Sequence, residues 1–272
     1  MKFCSLVIAF LFAVNIQGQI AGANLFGTNQ VITVRLNFNQ PAFWDSLIAN
    51  YSTETDMVCS ALEIIDNQGI HTFSNVNVRL KGNSSYGHPG NKKSFKIDLN
   101  DYVIGQNYDG LKKLNFNNCF KDPTFMREKL FFELSNVVGA PAPRVNYANV
   151  YMNNAYWGFY GLVEQVDDQF LDWAILDDNG NLFKAGDNFG GGNNAADLMN
   201  YGTNPTAYYN RYELKTNETA NDWTDLVELI QFINTSSAQT FALDFETKVN
   251  KTPYLRSLAL DVLFSNLDSY LN

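Results

Sequence analysis

Apolar side chains return with a period of two in several separate stretches between residues 29 and 166 of the chain. Between 29 and 38, Ile32, Val34, Leu36 and Phe38 alternate with Val31, Thr33, Arg35 and Asn37. That pattern predicts a strand with one face packed and the other wet. Tyr51 to Ile65 reads as a second extended region, closed by the turn Asp66-Asn67-Gln68-Gly69. Phe73 to Leu80 alternates again. Residues 81–91 then break all periodicity with Gly, Asn, Ser and Pro, and order resumes with Phe95, Ile97 and Leu99 on one strand face. Val145 to Met152 and Tyr156 to Val166 flank Asn153-Asn154 as a hairpin. Strands with a period of two cannot bury their apolar face alone, so they must share a core.

Helical spacing enters only locally at first. Asp122-Pro123 is expected to open a helix carrying Met126, Leu130, Phe131 and Leu134, stopped by Gly139 and Pro141. After residue 170 the character changes. Residues 180–204 are rich in Gly and Asn and read as a long loop around a short strand at Leu182-Phe183-Lys184. Asp222 and Thr252-Pro253 then precede two amphipathic helices. The order predicts an α+β chain with a β-rich part over 19–170 and a helix-rich part over 171–272.

Residues 1–18 form a separate unit. Lys2 precedes a nearly unbroken apolar run from Phe3 to Ile16, and Gly18 supplies a small residue before Gln19. The run is too short for a membrane span and reads as an export signal, so secretion is expected and no membrane span. With that segment removed, two of the three cysteines remain, Cys59 and Cys119, either as free thiols or as a disulfide. With two His and no CxxC pair, a His/Cys zinc site is not expected. The formal net charge of −9 argues against nucleic-acid phosphates as partners; it serves solubility first, and would also suit a basic protein substrate.

Four stretches carry groups able to do chemistry. Arg79-Leu80-Lys81-Gly82-Asn83-Ser84-Ser85 runs a strand into a loop rich in backbone donors and hydroxyls, and Lys92, Lys93 and Lys96 follow. Such a loop can cover an anion while lysines offset its charge. Most hairpin turns also look like this. Met126-Arg127-Glu128-Lys129-Leu130 places Glu128 where it can hold a strand lysine in position; a helix-start carboxylate has the same appearance. Leu162-Val163-Glu164-Gln165-Val166-Asp167 ends a strand in polar residues at the compositional break, where a hinge can pair its backbone with an adenine edge. Asn266-Leu267-Asp268-Ser269-Tyr270 sets Asp268 just after a long apolar helix, a position from which a carboxylate can orient an attacking hydroxyl and take its proton.

In this order and spacing, and together with Gly139-Ala140-Pro141-Ala142-Pro143-Arg144 and Tyr156-Trp157-Gly158-Phe159-Tyr160-Gly161, these stretches resemble the CotH (spore-coat protein H) kinase family over residues 30–272. The resemblance implies a protein-kinase-like two-lobed fold, with a β-rich N-terminal lobe and a helical C-terminal lobe. It implies an atypical secreted kinase that moves the γ-phosphate of ATP to Ser or Thr of exported proteins with Mg²⁺ or Mn²⁺. Carried over by position, Lys81, Gly82, Asn83, Ser84 and Ser85 would cover the nucleotide, with Glu128 and Glu164 beside it. Lys93 or Lys96 would contact phosphate, and Asp268 would be the catalytic Asp. Kinase-type loops carry a metal-binding Asn about five residues after that Asp, and Asn272 stands four after Asp268. The family's second metal carboxylate, on a Trp-Asp strand, is not among these residues. The chain is therefore expected to be truncated at its C-terminus and impaired in turnover. The competing expectation is a non-catalytic adhesin or surface-binding module, using aromatic residues around Tyr151, Tyr156, Trp157 and Tyr160.

Overall fold

A computed structural model describes residues 19–186, 195–267 and 269. In chain order the elements are α1 (Ala23–Phe26), β1 (Ile32–Asn37), α2 (Phe43–Asn50), β2 (Met57–Asp66), β3 (Gly69–Lys81), β4 (Ser94–Asp98), β5 (Lys113–Asn117), α3 (Arg127–Val137), β6 (Val145–Met152) and β7 (Ala155–Val163). There follow α4 (Asp168–Ala174), β8 (Phe183–Ala185), β9 (Tyr212–Leu214), α5 (Thr224–Thr235), α6 (Ala238–Lys248) and α7 (Lys251–Phe264).

The first seven strands close on themselves in the order β1-β2-β3-β4-β5-β7-β6. All neighbours are antiparallel except β1 and β6, which run parallel and seal the barrel, with Val34 beside Val150. This closure corrects the two-lobed, kinase-like expectation. Hydrogen bonds between β1 and both β2 and β6 abolish the sheet edges that an open N-terminal lobe would keep. What stands is the mixed α+β character.

The period of two explains the interior. Val34, Leu36, Leu62, Ile64, Val76, Val78, Phe95, Ile97, Leu114, Phe116, Val150 and Leu162 all point inward and are buried. Phe95 stacks on Phe116 and meets Tyr160 edge-on at the centre. Both tight turns follow the sequence. Asp66 accepts the Gln68 backbone N–H at 2.7 Å to turn β2 into β3. Asn153 and Asn154 join β6 to β7 with φ of 46° and 65°, the doubly left-handed turn that Asn tolerates. Asn153 also accepts the Phe38 N–H at 2.7 Å, which extends the β1 seam.

Helix α3 starts later than expected. Asp122 caps from a distance, accepting the Arg127 N–H at 2.8 Å and both the backbone N–H and the hydroxyl of Thr124. Pro123 lies in the preceding turn, not in the helix. A second, smaller apolar cluster joins Tyr208, Tyr212, Trp223, Leu226, Val227 and Ile230 around β9 and α5. Helix α7 rests on α3, with Phe264 edge-on to Phe131. It buries Leu260, whereas Leu255, Val262 and Leu263 are exposed. None of the described helices is long and apolar enough to cross a membrane.

Candidate functional site

Inward Leu80, Phe95, Leu114 and Phe116 force their neighbours outward. The outer face of β3, β4 and β5 is therefore polar, and the strand register sorts it into rows. Lys81 lies opposite Ser94, Arg79 opposite Lys96, and Asn77 opposite Asp98. On the other side of β4, Lys96 faces Asn115 and Asp98 faces Lys113.

Lys81 ends β3 and turns its ammonium across the sheet, donating to Asn115 Oδ1 at 3.1 Å. Asn115 in turn donates to Gln165 Oε1 at 3.1 Å. Glu128, in the first turn of α3, accepts from Asn117 Nδ2 at 2.7 Å. Burial pushes the Lys81 ammonium down to about 8, and the negative charge of Glu128 acts in the opposite direction. Burial also raises Glu128, partly offset by its bond from Asn117 and by the Lys81 charge. A buried lysine and a buried glutamate thus stabilise each other's charged forms without direct contact. Lys96 is likewise pushed down to about 8, first by burial, then by the charges of Lys113 and Arg79. Among the described residues no carboxylate lies within salt-bridge distance of Lys81, Lys96 or Lys113. Three cations without carboxylate partners lie on one face, two of them partly buried, and such a group can attract an anion.

The loop after β3 leaves this face directly from Lys81 and is braced along its length. Gly82 has φ +99°, and a Cβ there would come within 2.2 Å of Ser85 Oγ, so the position needs glycine. Tyr51 donates its hydroxyl to the Gly82 carbonyl at 2.5 Å and stacks on Tyr86. Asn118 Nδ2 donates to the carbonyls of Ser85 and Lys92. Asn83 and Ser84 lie at the exposed tip of this braced loop.

The two lysines left open by the sequence have different surroundings. Lys93 donates to the carbonyls of Tyr86 at 2.7 Å and His88 at 2.5 Å, so it holds its own loop closed. Lys96 lines a polar cavity of about 170 Å³. Glu164 is also engaged. Its carboxylate, with a side chain only 1% exposed, pairs with Arg144 and accepts the Trp173 indole N–H at 2.9 Å. Arg144 itself lies over the rings of Phe26 and Trp173. That carboxylate holds the chain after β7, and the neighbouring Gln165 is the side chain that reaches the lysine face.

Asp268 and Asn272 lie outside the described residues, as do residues 1–18. Among the described residues no group of three or more His, Cys, Asp or Glu side chains is arranged to hold a metal ion. Cys59 and Cys119 are free thiols, and burial raises the Cys59 thiol to about 12. Of the aromatic residues considered for surface binding, Tyr160 is inside the barrel and Trp157 packs on Phe43 and Trp44. Tyr151 and Tyr156 meet each other edge-on nearby.

Gln165 enters the sequence reading only as part of the 162–167 stretch, whereas Lys113, Asn115 and Asn117 are not among the groups the sequence points to. Their signal was present: Leu111 to Asn117 reads apolar, Lys, Lys, apolar, Asn, apolar, Asn. The run was too short to separate from the loop around it.

Known proteins share this stretch. A family model described as "CotH kinase protein" matches residues 78–272. The chain is 30% identical over 181 residues to the inner spore coat protein H of Bacillus subtilis (strain 168), which covers 66% of this chain and 48% of that protein. It is 21% identical over 252 residues to Invasin CotH2 of Rhizopus delemar (strain RA 99-880), covering 91% of this chain and 41% of that protein. The chain thus spans about half the length of the curated relatives it matches. The family match takes in β4, β5, α3 and the end of β3, and with them Lys81, Lys96, Asn115 and Glu128, over well more than half of the chain: the chain belongs to the CotH kinase protein family.

Proposed function

We propose that the outer barrel face at Lys81 and Lys96 binds the phosphates of ATP, within a secreted protein that transfers the γ-phosphoryl group to Ser or Thr of exported proteins. The observation that carries this reading is the pair of partly buried lysines without carboxylate partners on the outer face of β3 and β4, with the charge of Glu128 acting on Lys81 and the Gly82–Ser85 loop following directly after it. Partly buried ammonium groups are costly to charge, and a polyphosphate repays that cost. In this reading Glu128 and Asn115 orient Lys81, Lys96 meets a second phosphate, and the loop excludes water. A divalent metal, Mg²⁺ or Mn²⁺, would supply charge stabilisation to the phosphates, with Asn272, outside the described residues, as the side chain that would hold it. The acceptor hydroxyl oxygen attacks the γ-phosphorus, the bond to the β-phosphate oxygen breaks, and ADP leaves. Asp268 takes the hydroxyl proton. Residues 1–18 direct export, and the net charge of −9 favours encounter with a basic acceptor.

The relatives' printed names, a spore coat protein and an invasin, both point to a surface setting. The invasin also keeps a second reading open, a surface-binding module without catalysis. The test is phosphoryl transfer from labelled ATP to a lysine-rich protein acceptor, with Mg²⁺ and with Mn²⁺, by the protein at its full natural length. Transfer that falls at least a hundredfold in Lys81→Met and in Asp268→Ala is expected. A folded protein that transfers nothing with either metal supports the surface-binding module.

A further inference from the structure

One buried atom on the lysine face has no partner. Asn77 is 5% exposed, and its Oδ1 has no hydrogen-bond partner among the described residues. Its orientation is determined by its neighbour: Nδ2 donates to Asp101 Oδ2 at 2.9 Å. A carboxylate in its ionised form can only accept, so the amide nitrogen must face Asp101 and the carbonyl oxygen must point away from it. Asn77 lines the same cavity of about 170 Å³ as Lys96. A buried acceptor left unsatisfied is destabilising, and a ligand able to donate a hydrogen bond would remove that cost.

The cavity has two chemistries. Arg79, Lys96 and Lys113 supply cations, while Asn77, Asp98 and Asp101 supply acceptors, with Asp56 at the rim. A bare anion would satisfy the first set and leave Asn77 Oδ1 unpaired beside carboxylates. A metal ion would be repelled by the cations. A ligand that joins an anionic group to hydroxyl donors satisfies both. The register places the two chemistries side by side, because Asn77 and Asp98 sit one row beyond Arg79 and Lys96. Two residues along a strand is about 7 Å, a separation suited to a sugar and the phosphate it carries.

We propose that this cavity takes the ribose of the nucleotide, with the sugar hydroxyls donating to Asn77 Oδ1 and the adjacent carboxylates while Lys96, one row away, meets the phosphate nearest the sugar. The inference rests on the phosphate reading above and extends it from charge to identity: the face selects a ribonucleotide over other polyphosphates.

Calorimetric titration of the protein tests this with ATP, 2′,3′-dideoxy-ATP and inorganic tripolyphosphate. ATP should bind the native protein about tenfold tighter than its dideoxy analogue, a comparison that needs no variant. Asn77→Leu should weaken ATP about tenfold and leave tripolyphosphate unchanged, whereas Lys96→Met should weaken both. Ribose 5-phosphate should bind weakly and lose that binding in Asn77→Leu. Equal affinity for ATP and the dideoxy compound, with tripolyphosphate still bound, overturns the sugar assignment and leaves the phosphate site standing. Failure of ATP and tripolyphosphate alike overturns the phosphate reading and this inference with it.

Discussion

At the scale of single residues, the proposed phosphate binding rests on lysines whose charge is expensive. Lys81 and Lys96 each sit at about 8 in the folded chain against 10.5 for an ordinary lysine. Between those values the unfolded chain binds the protons and the folded chain does not, so stability of the free protein rises with pH from about 8 to 10.5. Phosphate binding has the opposite slope, because it needs the ammonium forms. Affinity for tripolyphosphate should hold below pH 7 and fall by about tenfold or more per pH unit above pH 8, with proton uptake on binding near pH 8.5. Calorimetry in buffers of different ionisation enthalpy measures both. Constant affinity from pH 7 to 9 would remove these lysines from the site. The sequence named Lys81, Lys93, Lys96 and Glu128 as the group to watch, because a strand running into a Gly/Asn/Ser loop is visible in one dimension. It left Lys93 and Lys96 equivalent. Only the closing of residues 86–93 onto the Lys93 ammonium separates a brace from a ligand-facing side chain.

At the scale of elements, Glu164 teaches why a polar residue at a strand end is ambiguous. Its position after β7 suggested a nucleotide contact, yet its carboxylate is occupied by Arg144 and Trp173. Arg144 also donates to the Ala21 carbonyl at 2.6 Å, so one ion pair ties the chain after β7 to the segment before α1. Glu164→Ala leaves the half-buried guanidinium without a carboxylate and should cost about 3–5 kcal/mol, read as a lower urea midpoint at unchanged slope. A loss below about 1 kcal/mol, the size typical of exposed pairs, would mean the clamp is not closed in solution. The hairpins were legible because turn chemistry is local: Asp66 and the Asn153-Asn154 pair set their own geometry. Helix α2 and strand β5 were not, since each is short and its stability comes from packing against the barrel. Asp122 shows the same limit at finer grain. The cap was recognised, but the helix begins several residues later because the carboxylate reaches past Thr124 to the Arg127 N–H.

At the scale of the whole molecule, closure is what a one-dimensional reading could not reach. The period of two announced strands with one buried face but not their partners, and the parallel β1–β6 seam joins residues more than a hundred positions apart. Closure matters for function because it leaves the interior full of side chains, so a ligand must use the outside of the barrel. On that outer face the cationic rows of β3, β4 and β5 are the place the account assigns to ATP. Hydrogen–deuterium exchange of the protein with and without ATP tests this directly. Exchange should slow over 79–98 and 113–117, an effect lost in Lys96→Met, with residues 205–248 unchanged. Protection confined to the helices of that second segment, or none at all at saturating ATP, would contradict it.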